Sequence, residues 1–188
     1  NVLSRADDFV KYLLLKHANK DFFRQLLSTN EFVEGANVRG WLSNDHHTVD
    51  FKNAPSAPFP KELAPHGGSH NRKIYTTKTR SGVMSTNAFL ATFSENDHNL
   101  PVQRGEFIAE SLLCQKVPDL PIAGVPALPT NPNMTMREKL AIHSKTKVTL
   151  PDGSVQNCWA CHQFMDPVGL SLERFNHVGK WMELDKGK

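Results

Sequence analysis

Cys158, Cys161 and His162 stand in the run Cys-Trp-Ala-Cys-His, two thiols two residues apart with an imidazole directly behind the second. This is the pattern of a c-type haem attachment site. The two thiols add across the haem vinyl groups as thioethers, and the adjacent histidine ligates the iron from the proximal side. The competing chemistries find less support. A structural zinc site needs two further Cys or His ligands at suitable spacing, and only Cys114 is left over, with no second Cys-x-x-Cys. A redox dithiol calls for a βαβ context, which the residue pattern lacks. One covalent haem c is therefore the expected cofactor.

The sixth iron position is open to several residues. Met165 lies only three residues past His162 and so starts on the same haem face. Met134, Met136, Met182, His98, His177 and His143 remain. Arg80, Arg104 and Arg137 are candidates to pair the haem propionates, because a guanidinium fork matches a carboxylate. Pairing with backbone carbonyls or acidic side chains is the equal alternative for all three.

Elements must position these groups. Residues 4 to 27 read as helix, with Ser4 as a cap, Asp7 and Asp8 in the first turn, and a break at Asn19-Lys20-Asp21. Residues 43 to 72 carry Pro55, Pro58, Pro60, Pro65, Gly67 and Gly68, with His46, His47, His66 and His70, and read as an irregular linker. A short helix is expected after a cap at Ser85 or Thr86, and a longer one from Pro101 through Cys114, with Cys114 as a small buried hydrophobe. Pro118, Pro121, Pro126, Pro129 and Pro132 mark an extended strap. Thr135 with Glu138 is a capping box, opening a helix that carries Leu140, Ile142 and His143. Asp152-Gly153 marks a hairpin tip, and Asp166-Pro167 reads as the start of a second helix behind the haem motif.

The expected fold class is mainly α: a cytochrome c-like haem module with proline-rich straps and one short hairpin, preceded by a small helical segment. The expected division is a helical segment over 1–45, a Pro/Gly/His-rich linker over 46–74 and the haem module over 75–188. With 22 basic and 19 acidic residues the formal net charge is +3, too small to argue for nucleic acid. No apolar run approaches the ~18 residues of a membrane span.

Several motifs together resemble a known module. They are Arg80-Ser-Gly-Val-Met84, Leu100-Pro-Val-Gln-Arg-Gly105, Leu112-Leu-Cys114 before the proline strap, the Cys158–His162 run, Met165-Asp-Pro-Val-Gly-Leu170 and Glu173-Arg-Phe-Asn-His-Val-Gly179. The chain is similar over roughly residues 75 to 185 to planctomycete-type cytochrome c domain proteins, in which such a module ends large exported bacterial proteins of largely uncharacterised role. The resemblance implies a histidine at the His143 position, making His162 and His143 the expected metal ligands. The chain departs from the resembled pattern at Asn176, where the family usually has aspartate; the family normally continues past the Lys188 position, so a fragment, a processed subunit or part of a larger assembly is expected.

The function expected is single-haem electron transfer, with a redox partner protein and further subunits or missing parts of the same polypeptide as partners. A haem enzyme of peroxidase or oxygenase type, an electron-feeding domain of a larger enzyme, and an interaction subunit with structural haem are the alternatives. Covalent haem is installed outside the cytoplasm, so a periplasmic or extracellular location is expected, the leader having been removed.

Overall fold

The computed structural model describes residues 2–18, 21–35, 51, 54–63, 72–118, 125–150 and 152–183. The chain divides into two compact units, Asn1–Asn99 with Phe175–Trp181, and Leu100–Arg174 with Met182–Lys188.

The first unit opens with helix α1 (Val2–His17). It begins ahead of Ser4, which therefore lies inside it and does not cap it. Phe9, Tyr12 and Leu13 repeat at the three-and-four spacing of one helix face and are buried, while Leu14 and Leu15 are exposed. Asp21, with φ at 59°, sits in the left-handed region and separates α1 from α2 (Phe22–Ser28), as the Asn19-Lys20-Asp21 break predicts. Strands β1 (Glu31–Gly35), β2 (Ser56–Pro58) and β3 (Arg72–Thr76) form an antiparallel sheet in the order β1-β3-β2. Phe32 faces Tyr75 across the pair, and Val33 faces Ile74. The core stacks the Phe9 and Phe32 rings with centroids 5.5 Å apart, and sets Phe51 against Phe32 and Tyr75. Burying each such side chain stabilises by about 2 kcal/mol. Helix α3 (Asn87–Thr92) is capped by Thr86, whose hydroxyl accepts from Phe89 N, as expected near Ser85 or Thr86.

The described chain is mainly helical, as expected, and this sheet adds strands to it. The stretch 46–74, read as an irregular linker, supplies Phe51 to the core, the whole of β2 and the first residues of β3. Pro58 is tolerated because β2 is an edge strand, where a missing N–H need not break a ladder bond. His46, His47, His66 and His70 lie outside the described residues.

The second unit is built on helices α4 (Pro101–Ser111) and α6 (Trp159–Gly169). Their backbones approach closely at two glycines. A Cβ on Gly105 would stand 2.0 Å from Met165 O, and one on Gly169 would stand 1.9 Å from Pro101 O. Ala109, Val117, Cys161 and Met165 form the buried cluster beside that contact. Pro101 begins α4, where its absent N–H has no helical partner to lose.

Cys114 is a correction. The helix stops at Ser111 and Cys114 is exposed, with φ at 54°. Leu113 N and Gln115 N turn back to Ile108 O and Ala109 O, and that reversal places Cys114 in the left-handed region.

Helix α5 (Met136–His143) starts at the capping box read from the sequence: Thr135 accepts from Glu138 N and Glu138 accepts from Thr135 N. The hairpin of β4 (Lys147–Thr149) and β5 (Val155–Asn157) follows, with Asp152 accepting from Ser154 N at the turn. Behind the Cys158–His162 run no second α-helix starts at Asp166. Helix α6 runs on through Asp166 and Pro167 to Gly169. Pro167 falls in the last turn, where one lost hydrogen bond is tolerated, and the Asp166 carboxylate is engaged elsewhere than at a cap.

Candidate haem-binding site

Cys158 is the N-cap residue of α6, and Trp159, Ala160, Cys161 and His162 make its first turn. The motif is anchored at its start by Cys158 N donating to Thr146 O at 3.1 Å, which ties it to the chain just past α5. Cys158 and His162, four residues apart, share one helix face and one cavity, while Cys161 packs with Ala109, Val117 and Met165. Both cysteines and His162 are buried, whereas Trp159, between the cysteines, is half exposed. Both cysteines are free thiols. Cys158 Sγ lies 3.2 Å from Thr146 Oγ1, and Cys161 Sγ lies 3.6 Å from Pro118 O, where the proline strap begins. Burial first, then Cys158 and Glu106, push the Cys161 thiol up from its ordinary value.

His143 ends α5 and meets His162 edge to face, with ring centroids 5.0 Å apart. Together with Cys158 these two imidazoles line a cavity whose other walls are Val125, Val148, Leu150 and Gln156. Strap, hairpin and both helices thus converge on one mostly apolar space. His162 Nδ1 is 2.8 Å from Asp166 Oδ1, one turn further along α6. An ionised Asp166 can only accept, so Nδ1 carries a proton, and in the neutral ring Nε2 then keeps the lone pair. His143 Nδ1 is buried without a hydrogen-bond partner among the described residues. Burial, then the neighbouring His162, hold the His143 imidazole below its usual range against the opposite pull of Asp166, which favours a neutral ring.

The donor set fits haem c. Two thiols stand at the attachment spacing, one imidazole donates Nδ1–H to Asp166, and a second buried imidazole has a nitrogen without a partner among the described residues. Among the described residues no group of three or more His, Cys, Asp and Glu side chains gathers to hold a metal ion by itself.

A family model described as PSCyt3, protein of unknown function (DUF1588), matches residues 80–185. The chain belongs to the PSCyt3 family. This is the cytochrome c-type family that the motifs resemble, and the PSCyt3 match takes in both cysteines, His162, His143 and the three arginines. No curated protein and no solved structure matches the chain.

The other expected site residues of this PSCyt3 chain are placed as follows. Arg80 is in the first unit, buried, donating to Ser85 O and Gly179 O with its guanidinium over the Phe51 and Phe175 rings. Arg104 is wholly buried on α4 and donates to Leu172 O at 3.1 Å; burial pushes its pKa down to about 10. Arg137, exposed on α5, donates to Glu173 Oε1 at 2.9 Å. Within the second unit, neither Arg104 nor Arg137 is among the described residues that line the cavity with His143, His162 and Cys158. Met165 packs in the α4–α6 core, and His98 and His177 belong to the first unit. Asp166 is the site residue that motif reading passes over. Its signal was present, a carboxylate four residues after the histidine on one helix, but Pro167 beside it suggested a helix start.

Proposed function

We propose that this chain is a single-haem c-type cytochrome acting in electron transfer, as part of a larger exported assembly with a separate redox partner. The observation that carries the reading is the folded arrangement of the Cys158–His162 motif, with the His143 and His162 ring centroids 5.0 Å apart and the buried His143 Nδ1 without a partner among the described residues. Haem c, when bound, supplies one-electron iron chemistry at a potential set by axial ligands, hydrogen bonds and burial.

The residues would have separate tasks. Cys158 and Cys161 would hold the group covalently, with α6 fixing their spacing. His162 would ligate the iron through Nε2, and His143 would supply the second imidazole. Val125, Val148 and Leu150 keep water from the ring, which lowers the local dielectric and strengthens every charge effect there. Two imidazoles suit electron transfer, because neither position is left for a substrate. Among the described residues no helix is long and apolar enough to cross a membrane. A periplasmic or extracellular location is part of the proposal, since covalent haem is attached outside the cytoplasm.

The test is intact mass under denaturing conditions, followed by visible spectra of the reduced protein with and without carbon monoxide. The expected result is one haem added to the polypeptide mass and a six-coordinate spectrum unmoved by carbon monoxide. A bare polypeptide mass from an export-competent host overturns the proposal. Rapid carbon monoxide binding replaces electron transfer with ligand chemistry.

A further inference from the structure

We infer that Asp166 is a positioning residue for the axial ligand: by accepting the His162 Nδ1 proton it strengthens Nε2 as a donor to iron and holds the reduction potential low. The inference rests on the reading that His162 ligates haem iron.

The geometry is specific. His162 and Asp166 are one helical turn apart on α6, with Nδ1 and Oδ1 at 2.8 Å, and both side chains are almost fully enclosed. The helix backbone sets the separation, so the ring is turned by a contact within its own rigid element. A histidine that ligates through one nitrogen is oriented, and made more basic, by whatever accepts the proton on the other. Here the acceptor is a carboxylate and not a neutral carbonyl. An anion draws the Nδ1 proton harder, leaves more electron density on Nε2, and favours the more positive iron state. Burial keeps solvent from screening that effect. The same contact fixes which nitrogen faces the cavity shared with His143, so Asp166 decides both ring orientation and donor strength.

The experiment uses the haem-loaded chain with Asp166→Asn and Asp166→Ala, and reads haem content by mass, reduction potential, and melting temperature. Asparagine keeps a neutral acceptor, and alanine keeps none. Both variants are expected to raise the potential, alanine by more. A tenfold weaker preference for ferric iron reads as about 59 mV upward for one electron. Leu140→Ala, at a buried position of α5 that is not among the residues lining the His143–His162 cavity, is expected to lower the melting temperature and leave the potential in place. A haem-bearing Asp166→Asn protein with wild-type potential overturns this inference alone. Wild-type protein without haem overturns it together with the functional reading. Should both Asp166 variants fail to fold, the reduced wild-type protein with nitrogen-15 histidine decides. A slowly exchanging His162 Nδ1 proton is expected, and a rapidly exchanging or absent one overturns the contact.

Discussion

The His143 and His162 imidazoles meet edge to face at a centroid separation of 5.0 Å, with an interplanar angle of 65°. One ring closes α5 and the other lies in the first turn of α6. The cap at Thr135 sets where α5 begins, and the Thr146–Cys158 bond returns the chain beside its end. If His143 is the second axial ligand, His143→Ala opens the iron. The haem-loaded variant is expected to lose its low-spin spectrum and to bind carbon monoxide. An unchanged six-coordinate spectrum and potential would remove His143 from the site and make Met136 the next residue to replace.

The proposed covalent attachment needs both thiols at the start of α6, Cys158 on the cavity and Cys161 beside the α4–α6 core. Single replacements Cys158→Ala and Cys161→Ala should each leave one thioether, shifting the reduced absorption band because one vinyl group stays unsaturated. The double replacement should give bare polypeptide mass under denaturing conditions. Retention of haem by the double variant through denaturation would place the attachment elsewhere.

The α4–α6 contact has no room for a methyl group at either glycine. Gly105→Ala forces a Cβ to 2.0 Å from Met165 O, and Gly169→Ala to 1.9 Å from Pro101 O. The atoms in the way are backbone, so the helices must part. Each substitution is expected to destabilise the second unit by about 3 kcal/mol, seen as a lower melting temperature with loss of haem. Tolerance of both would mean that the helices do not cross at these residues.

The first unit carries an acid-sensitive link. Burial pushes the Glu31 carboxyl up, but hydrogen bonds from Lys16 and Tyr12 outweigh it and hold it below the ordinary range. The folded form therefore releases this proton more readily than the unfolded chain. Its contribution is present above the unfolded carboxylate range and is lost as pH falls through the depressed folded value. Chemical denaturation across acid pH should show a loss of stability that Glu31→Gln flattens. An identical pH profile in wild type and variant would contradict the assignment.

Local chemistry was legible in the residues themselves. The Cys158–His162 run, the Thr135 capping box, the Asp152-Gly153 turn and the break before Phe22 each depend on groups within a few positions, where covalent geometry and neighbouring backbone bonds decide the outcome. His143 was indicated by its place on a helix whose start the cap defines, together with the family resemblance. Longer-range features were decided only by the tertiary structure. Phe32 and Val33 become strand because Tyr75 and Ile74 pair with them across an intervening stretch that a single short apolar run cannot reveal. Arg80 and Arg104 left propionate pairing and backbone pairing equally open in the sequence, and in the fold they donate to the carbonyls of Gly179 and Leu172. Asp166-Pro167 has the composition of a helix start, but α6 continues through it and its carboxylate meets His162. The physical reason is common to all of these: spacing along the chain fixes what neighbours can do, whereas burial and packing choose among partners that the chain brings together only on folding.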